Sequence, residues 1–150
     1  METPRHYKAP TWLDRKVMNP LVAGLARLGL SVWGSRILEV SGRKSGEPRR
    51  VPVNVLTLDG ARYLVAPRGH TQWVRNLRAA GCAGQLLLGG RRESFSATEI
   101  ADADKEPILR AYLRRWKWEV GQFFGGVGPD SAPEEFARIA PDHPVFRIGS

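Results

Sequence analysis

The feature that most constrains the fold is an alternation of apolar and polar residues that begins at Ile37. The segments ILEVS, VPVNVLTL and ARYLVA alternate in this way, and only Asp59 and Gly60 separate the second from the third. An Asp-Gly pair between alternating segments predicts a two-residue β-hairpin turn. AGQLLL and RRESFSATEI, separated by Gly89 and Gly90, predict a second hairpin. Strands joined by tight turns favour an antiparallel sheet or small barrel, so we expect an α+β fold with its helices outside.

The segment before the strands, residues 11–30, has the spacing of a helix with one apolar face. Its apolar side chains follow one another at steps of three or four residues: Leu13, Val17, Leu21, Leu25 and Leu28. A helix that covers the core fits this pattern, and contact with a membrane surface through Trp12 and Lys16 is the alternative. Residues 21–32 are too short to span a bilayer, and Arg27 interrupts them.

Further helices are predicted after each hairpin. QWVRNLRAA, which follows Thr71 as its N-cap, predicts a short helix. Residues 105–120 predict a longer one. SAPEEF matches a capping box, in which Ser131 and Glu134 together open a last short helix. The final segment, PVFRI, predicts one more strand.

The length of 150 residues fits a single domain. We expect an N-terminal helical segment over 1–34, a strand-rich core over 36–100, and C-terminal helices with the last strand over 103–150. Cys82 is the only cysteine, which excludes an internal disulfide and a multi-cysteine metal cluster. Since the sequence opens without a secretory signal of the usual kind, we expect a cytoplasmic protein, with membrane association as the alternative.

Positive charge is concentrated in one third of the chain. The whole chain has 23 basic and 15 acidic residues and a formal net charge of +8. Between Ser41 and Glu93, ten basic residues stand against three acidic ones, so this region alone carries +7. Such a region attracts an anionic partner, which leaves nucleic acid, acidic lipid and a phosphorylated small molecule as classes of ligand.

Part of this charge lies in the loop SGRKSGEPRR, between two predicted strands. Its glycines at 42 and 46 allow the backbone to turn and to direct N–H groups towards an anion. Lys44 and Ser45 lie at its tip, and three further side chains can add charge-assisted hydrogen bonds: Arg43, Arg49 and Arg50. A solvated basic turn is the alternative. Because Pro48 and a strand follow the loop where a Walker A motif requires a helix, nucleoside triphosphate chemistry is not favoured.

A second positive loop, APRGHTQW, follows the partner strand of the same sheet. It places Arg68, Gly69 and His70 just before the N-terminus of a predicted helix, where unpaired N–H groups favour anions. Because the two loops end adjacent strands, we expect them to hold one phosphate-bearing ligand from two sides.

Several other chemistries lack their residue patterns. The histidines, His6, His70 and His143, are scattered, and none lies beside a second metal ligand at a useful spacing. The nucleophile elbow of serine hydrolases, G-x-S-x-G, does not occur. The glycines of GGVG do not lead from a strand into a helix, as a dinucleotide-binding fingerprint requires.

The strings GRKSGEPRRVPV, DGARYLVA and QWVRNL together resemble the deazaflavin-dependent nitroreductase family, over residues 36–100. This resemblance implies an antiparallel split β-barrel of the FMN-binding type with peripheral helices. It implies a site for the deazaflavin coenzyme F-420, whose phosphate and oligoglutamate tail are anionic. The implied reaction is hydride transfer from the reduced coenzyme to an electron-poor quinone, enone or nitro compound.

By position, the resemblance also implies which residues bind the coenzyme. The phosphate end would lie at Arg43, Lys44, Ser45 and Arg49. The ring would be lined by Val51, Pro52 and Val53, with Ala66, Arg68 and Gly69 beneath it. Trp73 and Asn76 match the family's W-x-x-N-L motif and would close the site. Arg50 and His70 are the remaining polar candidates in the two loops.

The catalytic side chain is not identified, since the coenzyme carries the chemistry. Tyr112 is a candidate proton donor, and solvent is the alternative. A wall for the substrate would come from the aromatic residues of the C-terminal segment: Trp116, Phe123 and Phe124. Leu109, Leu113 and Trp116 also have the spacing of a helix face packed in the core.

Three other functions stay open: an FMN-dependent split-barrel oxidoreductase, a non-catalytic ligand carrier and a nucleic-acid-binding module. FMN is an alternative because a phosphate site does not identify the ring. Nucleic-acid binding calls for aromatic residues among the basic ones, and only Tyr63 and Trp73 lie between Ser41 and Glu93. We therefore expect a small-molecule substrate and no nucleic acid, with a monomer or a homodimer as the assembly.

Overall fold

A computed structural model describes residues 35–149 of the chain. The predicted N-terminal helix, with its alternative of membrane contact, lies outside the described residues. The strands are β1 (Ser35–Ser41), β2 (Pro48–Leu58), β3 (Ala61–Val65), β4 (Ala83–Leu88), β5 (Arg91–Glu99) and β6 (Val145–Gly149). The α-helices are α1 (Gln72–Ala79), α2 (Glu106–Val120) and α3 (Pro133–Ile139).

The six described strands form a closed antiparallel barrel in the order β1-β2-β3-β6-β5-β4. β6 lies between β3 and β5, with Phe146 opposite Leu64 and Ile148 opposite Ala97. Because β6 bonds to a strand on each side, the described barrel has no free edge. The predicted α+β split-barrel fold with helices outside the sheet is confirmed, and the last predicted strand proves to be the one that closes it.

Both predicted hairpin turns are present. Asp59 and Gly60 have φ angles of 51° and 81°, the left-handed pair that a type I′ turn requires. Gly89, with φ of 62°, turns the chain between β4 and β5. Since both turns sit where the alternation stops, the pairing registers of these two hairpins follow from the sequence pattern.

The predicted capping box of α3 is wrong. The hydroxyl of Ser131 accepts a hydrogen bond from the Gly128 amide at 2.9 Å, so it serves the preceding turn. α3 instead begins at Pro133, with Ala132 at the N-cap and no side-chain cap. Proline suits this first position because it has no N–H to leave unpaired and its φ is already helical.

The apolar core has two parts, one on each side of the β2–β3 wall. The barrel interior contains Leu38, Val40, Val55, Leu64, Val74, Leu77, Leu86, Phe95, Phe146 and Ile148. The outer part lies under α2 and α3 and contains Leu56, Val65, Leu109, Leu113, Trp116, Phe136 and Val145. Successive strand residues point to opposite faces, so Val55 packs inside the barrel and Leu56 packs under the helices.

α2 covers the outer face of this wall and bends at Trp116, whose φ and ψ are −126° and 18°. The buried ring of Trp116 lies 5.0 Å from that of Tyr112. At the start of the helix, the buried Lys105 donates to the carbonyl of Ala140 at 2.8 Å and pairs with Asp102. No helix in the described part of the chain is long and apolar enough to cross a membrane.

Phe146 tests whether the closing strand holds the barrel together. Its side chain is fully buried, and Phe146→Ala should lower the free energy of unfolding by about 3–5 kcal/mol. The neighbouring Arg147 is exposed, so Arg147→Ala should change it by less than about 0.5 kcal/mol. Urea denaturation followed by tryptophan fluorescence compares the two variants. Equal losses would contradict a core role for β6.

Candidate functional site

The β1–β2 loop is held by its own backbone. The Gly42 amide donates to the carbonyl of Glu47, and the Gly46 amide donates to the carbonyl of Gly42, each at 2.8 Å. Gly46 has φ of 75°, a left-handed conformation that glycine adopts without strain. The Glu47 amide donates to the Ser45 hydroxyl at 3.1 Å. These three amides are therefore bonded within the loop and are not available to an anion.

The loop is fixed to α1 by Arg43. Its amide and its guanidinium both donate to Oδ1 of Asn76, at 3.0 and 2.8 Å, and the guanidinium also donates to Gln72 at 2.8 Å. Asn76 is 5% exposed, so it is a buried acceptor supplied by the helix. The loop and the W-x-x-N-L helix, which the family resemblance implies belong to one site, are thus in direct contact.

Lys44 and Arg49 lie at the free side of the loop. Both are exposed, and among the described residues neither forms an ion pair or a hydrogen bond to another side chain. A Cβ on Gly42 would stand 3.2 Å from Nε of Arg49 and 3.1 Å from the Ser45 hydroxyl. Arg49 therefore lies across the glycine beside Ser45, which brings a guanidinium and a hydroxyl together, and the exposed Lys44 is the next residue along the loop.

Arg50 faces a different direction. Its Nε donates to Glu39 on the neighbouring strand at 2.7 Å, and Arg92 donates to the same carboxylate at 2.8 Å. The hydrogen bonds from Arg50 and Arg92 hold the pKa of Glu39 below its usual range. Arg50 is thus part of a network on the barrel wall, away from the surface formed by Lys44 and Arg49.

Ion pairs of this kind also involve other arginines counted between Ser41 and Glu93. Arg62 pairs with Glu93, and Arg78 pairs with Glu99 at 2.5 Å. In both pairs the arginine hydrogen bond lowers the pKa of the carboxyl group. Among the described arginines of the barrel and α1, Arg50, Arg62, Arg78 and Arg92 are thus each paired with a glutamate.

The loop after β3 is fastened to the segment before β6. The Ala66 amide donates to the carbonyl of Pro144 at 2.9 Å. Gly69 has φ of 88°, and a Cβ there would stand 3.1 Å from the carbonyl oxygen of Asp142. The loop therefore requires glycine both for its conformation and for this close approach.

His70 links the same loop to two neighbours. Its Nδ1 lies 3.1 Å from the Arg78 guanidinium, and its Nε2 lies 3.0 Å from the carbonyl oxygen of Pro141. Because a guanidinium only donates, Nδ1 is the acceptor and Nε2 carries the proton. Both ring nitrogens are thus engaged by the protein itself.

The residues expected to line the ring divide between the two faces of β2. Val51 and Val53 pack against the interior cluster, as does Trp73, whose ring lies 6.0 Å from that of Phe146. All three are only partly buried, so they form an apolar edge at the loop end of the barrel. Pro52 lies between the valines and by alternation faces outward.

The aromatic residues expected to face the substrate differ in exposure. Trp116 and Phe124 are fully buried, and Phe124 stacks on His143 with ring centroids 4.2 Å apart. Burial lowers the pKa of His143. Phe123 is partly exposed and lies under the guanidinium of Arg68, 5.1 Å from its ring centroid. The second cationic loop therefore meets the aromatic segment at Phe123.

A polar cluster beside this contact was not predicted. Asn54 on β2 donates from Nδ2 to Oε1 of Glu119 on α2 at 3.1 Å, across 65 positions of sequence. Burial raises the pKa of Glu119. Burial also raises the pKa of Tyr112, as does the Glu119 carboxylate, while Asn54 and Arg68 act in the opposite direction. In the sequence, this contact is indicated only by the polar Asn54 within the alternating segment VPVNVLTL. The sequence does not identify Glu119 as its partner.

Within the described residues, no group of three or more His, Cys, Asp and Glu side chains could hold a metal ion. The binding groups at this end of the barrel are cations, amides and apolar side chains. Such a set suits an organic anion better than a metal.

Comparisons with known proteins agree with this description. The model of the F420H(2)-dependent quinone reductase family matches residues 15–121. No curated protein sequence matches the chain. Among solved structures, a domain-swapped dimer shares 17% identity and a TM-score of 0.55, covering 92% of this chain and 97% of its own.

Two further structures have the same fold. An F420-H2-dependent reductase, FDR-A, shares 18% identity at a TM-score of 0.53 and covers 77% of this chain and 94% of its own. A protein of unknown function from Agrobacterium tumefaciens shares 16% identity at a TM-score of 0.57 and covers 99% of this chain and 57% of its own. At such identities the likeness establishes the fold alone.

Asn76 provides a test of how the first loop is held. Asn76→Ala removes the acceptor of the Arg43 amide, so we expect the free energy of unfolding to fall by about 1–3 kcal/mol. The amide hydrogens of residues 42–47 should also exchange faster. Asn76→Asp keeps an oxygen at the same position and should retain much of the protection. Hydrogen exchange followed by mass spectrometry measures these differences.

Gln72→Ala is the matched control, because Gln72 is exposed and contacts only the Arg43 guanidinium among the loop's groups. We expect it to leave exchange at residues 42–47 close to that of the wild type. Unchanged exchange in Asn76→Ala would show that the loop is held by other contacts.

Proposed function

The chain belongs to the F420H(2)-dependent quinone reductase family and is an F420-dependent reductase, and we propose that its electron acceptor is a quinone. The acceptor is a small molecule. We also propose which residues bind the coenzyme, beginning with those of the β1–β2 loop.

The observation that carries the proposal is the surface formed by Lys44, Ser45 and Arg49. The coenzyme has an anionic phosphate and an anionic oligoglutamate tail, and both need cations that the protein has not already neutralised. Lys44 and Arg49 meet this need, since their side chains are exposed and unpaired within the described region. We assign them, with the Ser45 hydroxyl, to the anionic end of the coenzyme.

Arg43 and Asn76 have a supporting role in this proposal. The Asn76 amide oxygen accepts two hydrogen bonds from Arg43, so it fixes the loop before any ligand binds. A loop held in place loses less conformational entropy on binding, which favours affinity. Both residues were predicted to contact the coenzyme directly. We propose instead that they position the loop that binds it.

The apolar edge is the best candidate for the ring of the coenzyme. Val51, Val53 and Trp73 are partly buried and lie at the end of the barrel that carries both loops. Ala66, Arg68 and Gly69 follow β3 at the same end. We propose that these residues contact the ring, and that Phe123 under Arg68 contacts the quinone.

When bound, the reduced deazaflavin supplies the hydride. The protein positions the two reactants, keeps bulk water away and supplies charge complementary to the anions. Arg68 is suited to the oxygen of a quinone as it gains negative charge, because the guanidinium keeps its proton over the whole working range.

We propose that the assembly is a homodimer, the state described for one protein of the same fold at 17% identity. Analytical ultracentrifugation of the full chain would give a mass of about twice 16.7 kDa, and a monomer mass would contradict this. A cytoplasmic location, and contact of residues 11–30 with a membrane surface, stay predictions.

Titration of the purified protein followed by tryptophan fluorescence tests the cofactor. We expect saturable binding of the deazaflavin coenzyme, with weaker binding of FMN and of a short oligonucleotide. Steady-state oxidation of the reduced coenzyme by a soluble quinone then tests the reaction. Tight binding of FMN alone, or of the oligonucleotide alone, would overturn the assignment.

Removal of the Lys44 and Arg49 charges should weaken binding selectively. Lys44→Ala combined with Arg49→Ala loses two charge-assisted contacts of about 1.5 kcal/mol each, so the Kd for the coenzyme should rise about 100-fold. The effect should shrink at high salt, because exposed charges are screened. Fluorescence titration at two ionic strengths measures it, with the denaturation midpoint as the check on folding.

The control removes the same charge elsewhere. Arg91 follows the turn at the other end of the barrel, and Arg114 is exposed on α2. Arg91→Ala combined with Arg114→Ala should change the Kd less than about threefold, as expected of distant charges. If both double variants bind equally well, the anion site is not the β1–β2 loop.

A further inference from the structure

We infer that Glu119 is the acid that protonates the quinone oxygen as it is reduced, an inference that rests on the proposed function. No residue was assigned this role by the sequence, where Tyr112 and solvent were the candidates. The Glu119 carboxyl group bonds to Asn54 of β2 and lies near the end of α2, from which the chain leads to Phe123.

A residue of the barrel wall holds the Glu119 carboxyl group. Glu119 is half-buried near the C-terminal end of α2, where Asn54 on the barrel wall donates to its Oε1 at 3.1 Å. The amide of Asn54 is itself oriented by the Ser35 hydroxyl, which donates weakly to its Oδ1 at 3.4 Å. The carboxyl group is therefore held by a residue of a rigid strand, while part of it stays open to water.

Glu119 differs from the other barrel glutamates in its surroundings. Glu39, Glu93 and Glu99 each bond to arginine, which lowers the pKa of each. Within the described residues Glu119 forms no ion pair, and burial raises its pKa, opposed by the hydrogen bond from Asn54. Among the described residues, the polar groups that face this region from the packed elements are Asn54, Tyr112 and Arg68. A carboxyl group in such surroundings keeps its proton to higher pH than an exposed one.

Tyr112 is less suited to the role. Its side chain is 2% exposed, and burial raises the pKa of its hydroxyl well above the usual range of a phenol. A phenol that holds its proton this strongly can donate a hydrogen bond but transfers a proton poorly near neutral pH. It also has little contact with water from which to recover a proton, whereas Glu119 is half-exposed.

The residues around Glu119 come from elements that also contribute to the proposed coenzyme site. Asn54 lies five residues beyond Arg49 on the same strand, about 16 Å along it at the usual rise. Arg68 comes from the second cationic loop, and Phe123 follows the end of α2 that contains Glu119. Strand, loop and helix thus bring an acid, a cation and an aromatic ring to one region beside the proposed coenzyme site.

The proton balance of the step is simple. Two electrons and one hydrogen enter the quinone as the hydride, which leaves one oxygen with a negative charge. The O–H bond of the Glu119 carboxyl group breaks, and its proton forms the new O–H bond of the hydroquinone. Glu119 is left as a carboxylate and recovers a proton from water through its exposed side.

Glu119→Gln tests this role, because glutamine keeps an oxygen for Asn54 and removes the acid. We expect kcat for quinone reduction to fall about 100-fold, with KM and the Kd for the coenzyme unchanged. The wild type should lose kcat as the pH rises through the pKa of Glu119, and the variant should lack this dependence. Glu135→Gln, at an exposed carboxylate paired with Arg138, is the matched control and should keep the wild-type profile.

Asn54→Ala separates catalysis from structural support. The hydrogen bond from Asn54 acts to lower the pKa of Glu119, so its removal should move the loss of kcat to higher pH. A residue that only supported the fold would lower kcat without moving the pH profile. An unmoved profile in Asn54→Ala, or a wild-type profile in Glu119→Gln, would overturn the inference.

Two readouts do not depend on the loaded enzyme. The carboxyl C=O stretch lost in Glu119→Gln, recorded by infrared difference spectroscopy of the protein alone, should titrate above the usual range of Glu. A raised folded-state pKa also means that wild-type stability falls as the pH rises from the ordinary Glu pKa through the raised one. Glu119→Gln should therefore gain in unfolding midpoint relative to the wild type over that interval.

The outcomes distinguish the two proposals. A wild-type protein that neither binds nor oxidises the reduced coenzyme overturns the proposed function. A wild-type protein that does both, with no titration of Glu119 above the usual range, overturns the role of Glu119 alone.

Discussion

The hydrogen bonds of β6 to both β3 and β5 close the barrel, and the other elements are positioned relative to that closed wall. Val145 and Phe146 continue from a segment that accepts the Ala66 amide and approaches Gly69. The loop after β3 is therefore fixed by the chain that leads into the closing strand. Since that loop opens directly into α1, the helix and its buried Asn76 are fixed with it, and Asn76 in turn holds the β1–β2 loop. The pairing of β6 with β3 and β5 therefore also fixes the two loops at one end of the barrel.

Patterns within a few residues of one another could be predicted, because their causes are local. The left-handed turn at Asp59-Gly60, the β2–β3 pairing around it and the short helix after Thr71 all follow from alternation and turn chemistry. The resemblance then brought Arg43 and Asn76 to one site, and they are bonded to each other. What it could not supply was the type of contact, which is a hydrogen bond within the protein.

The unpredicted features depend on partners far apart in the chain. Counting charges between Ser41 and Glu93 treated Arg50 and Arg78 as free, yet each is paired with a glutamate outside that window, Glu39 and Glu99. Asn54 and Glu119 are likewise joined only because α2 packs on β2. Ser131 had the spacing of a cap but bonded to the turn before it, since a hydroxyl can serve any amide in reach. Each case required the tertiary structure.

The alternation of β2 gives this single strand two different functions. Val51, Val53 and Val55 face the barrel interior. Val51 and Val53 are only partly buried, and they form the apolar edge together with Trp73. Asn54 and Leu56 face α2, where the apolar surroundings that stabilise the helix also desolvate Glu119. The strand whose inward side chains line the barrel therefore also carries Asn54, which donates to the Glu119 carboxyl group. Because a slip of one residue would exchange the two faces, the register of β2 couples the stability of the barrel to the chemistry proposed for its site.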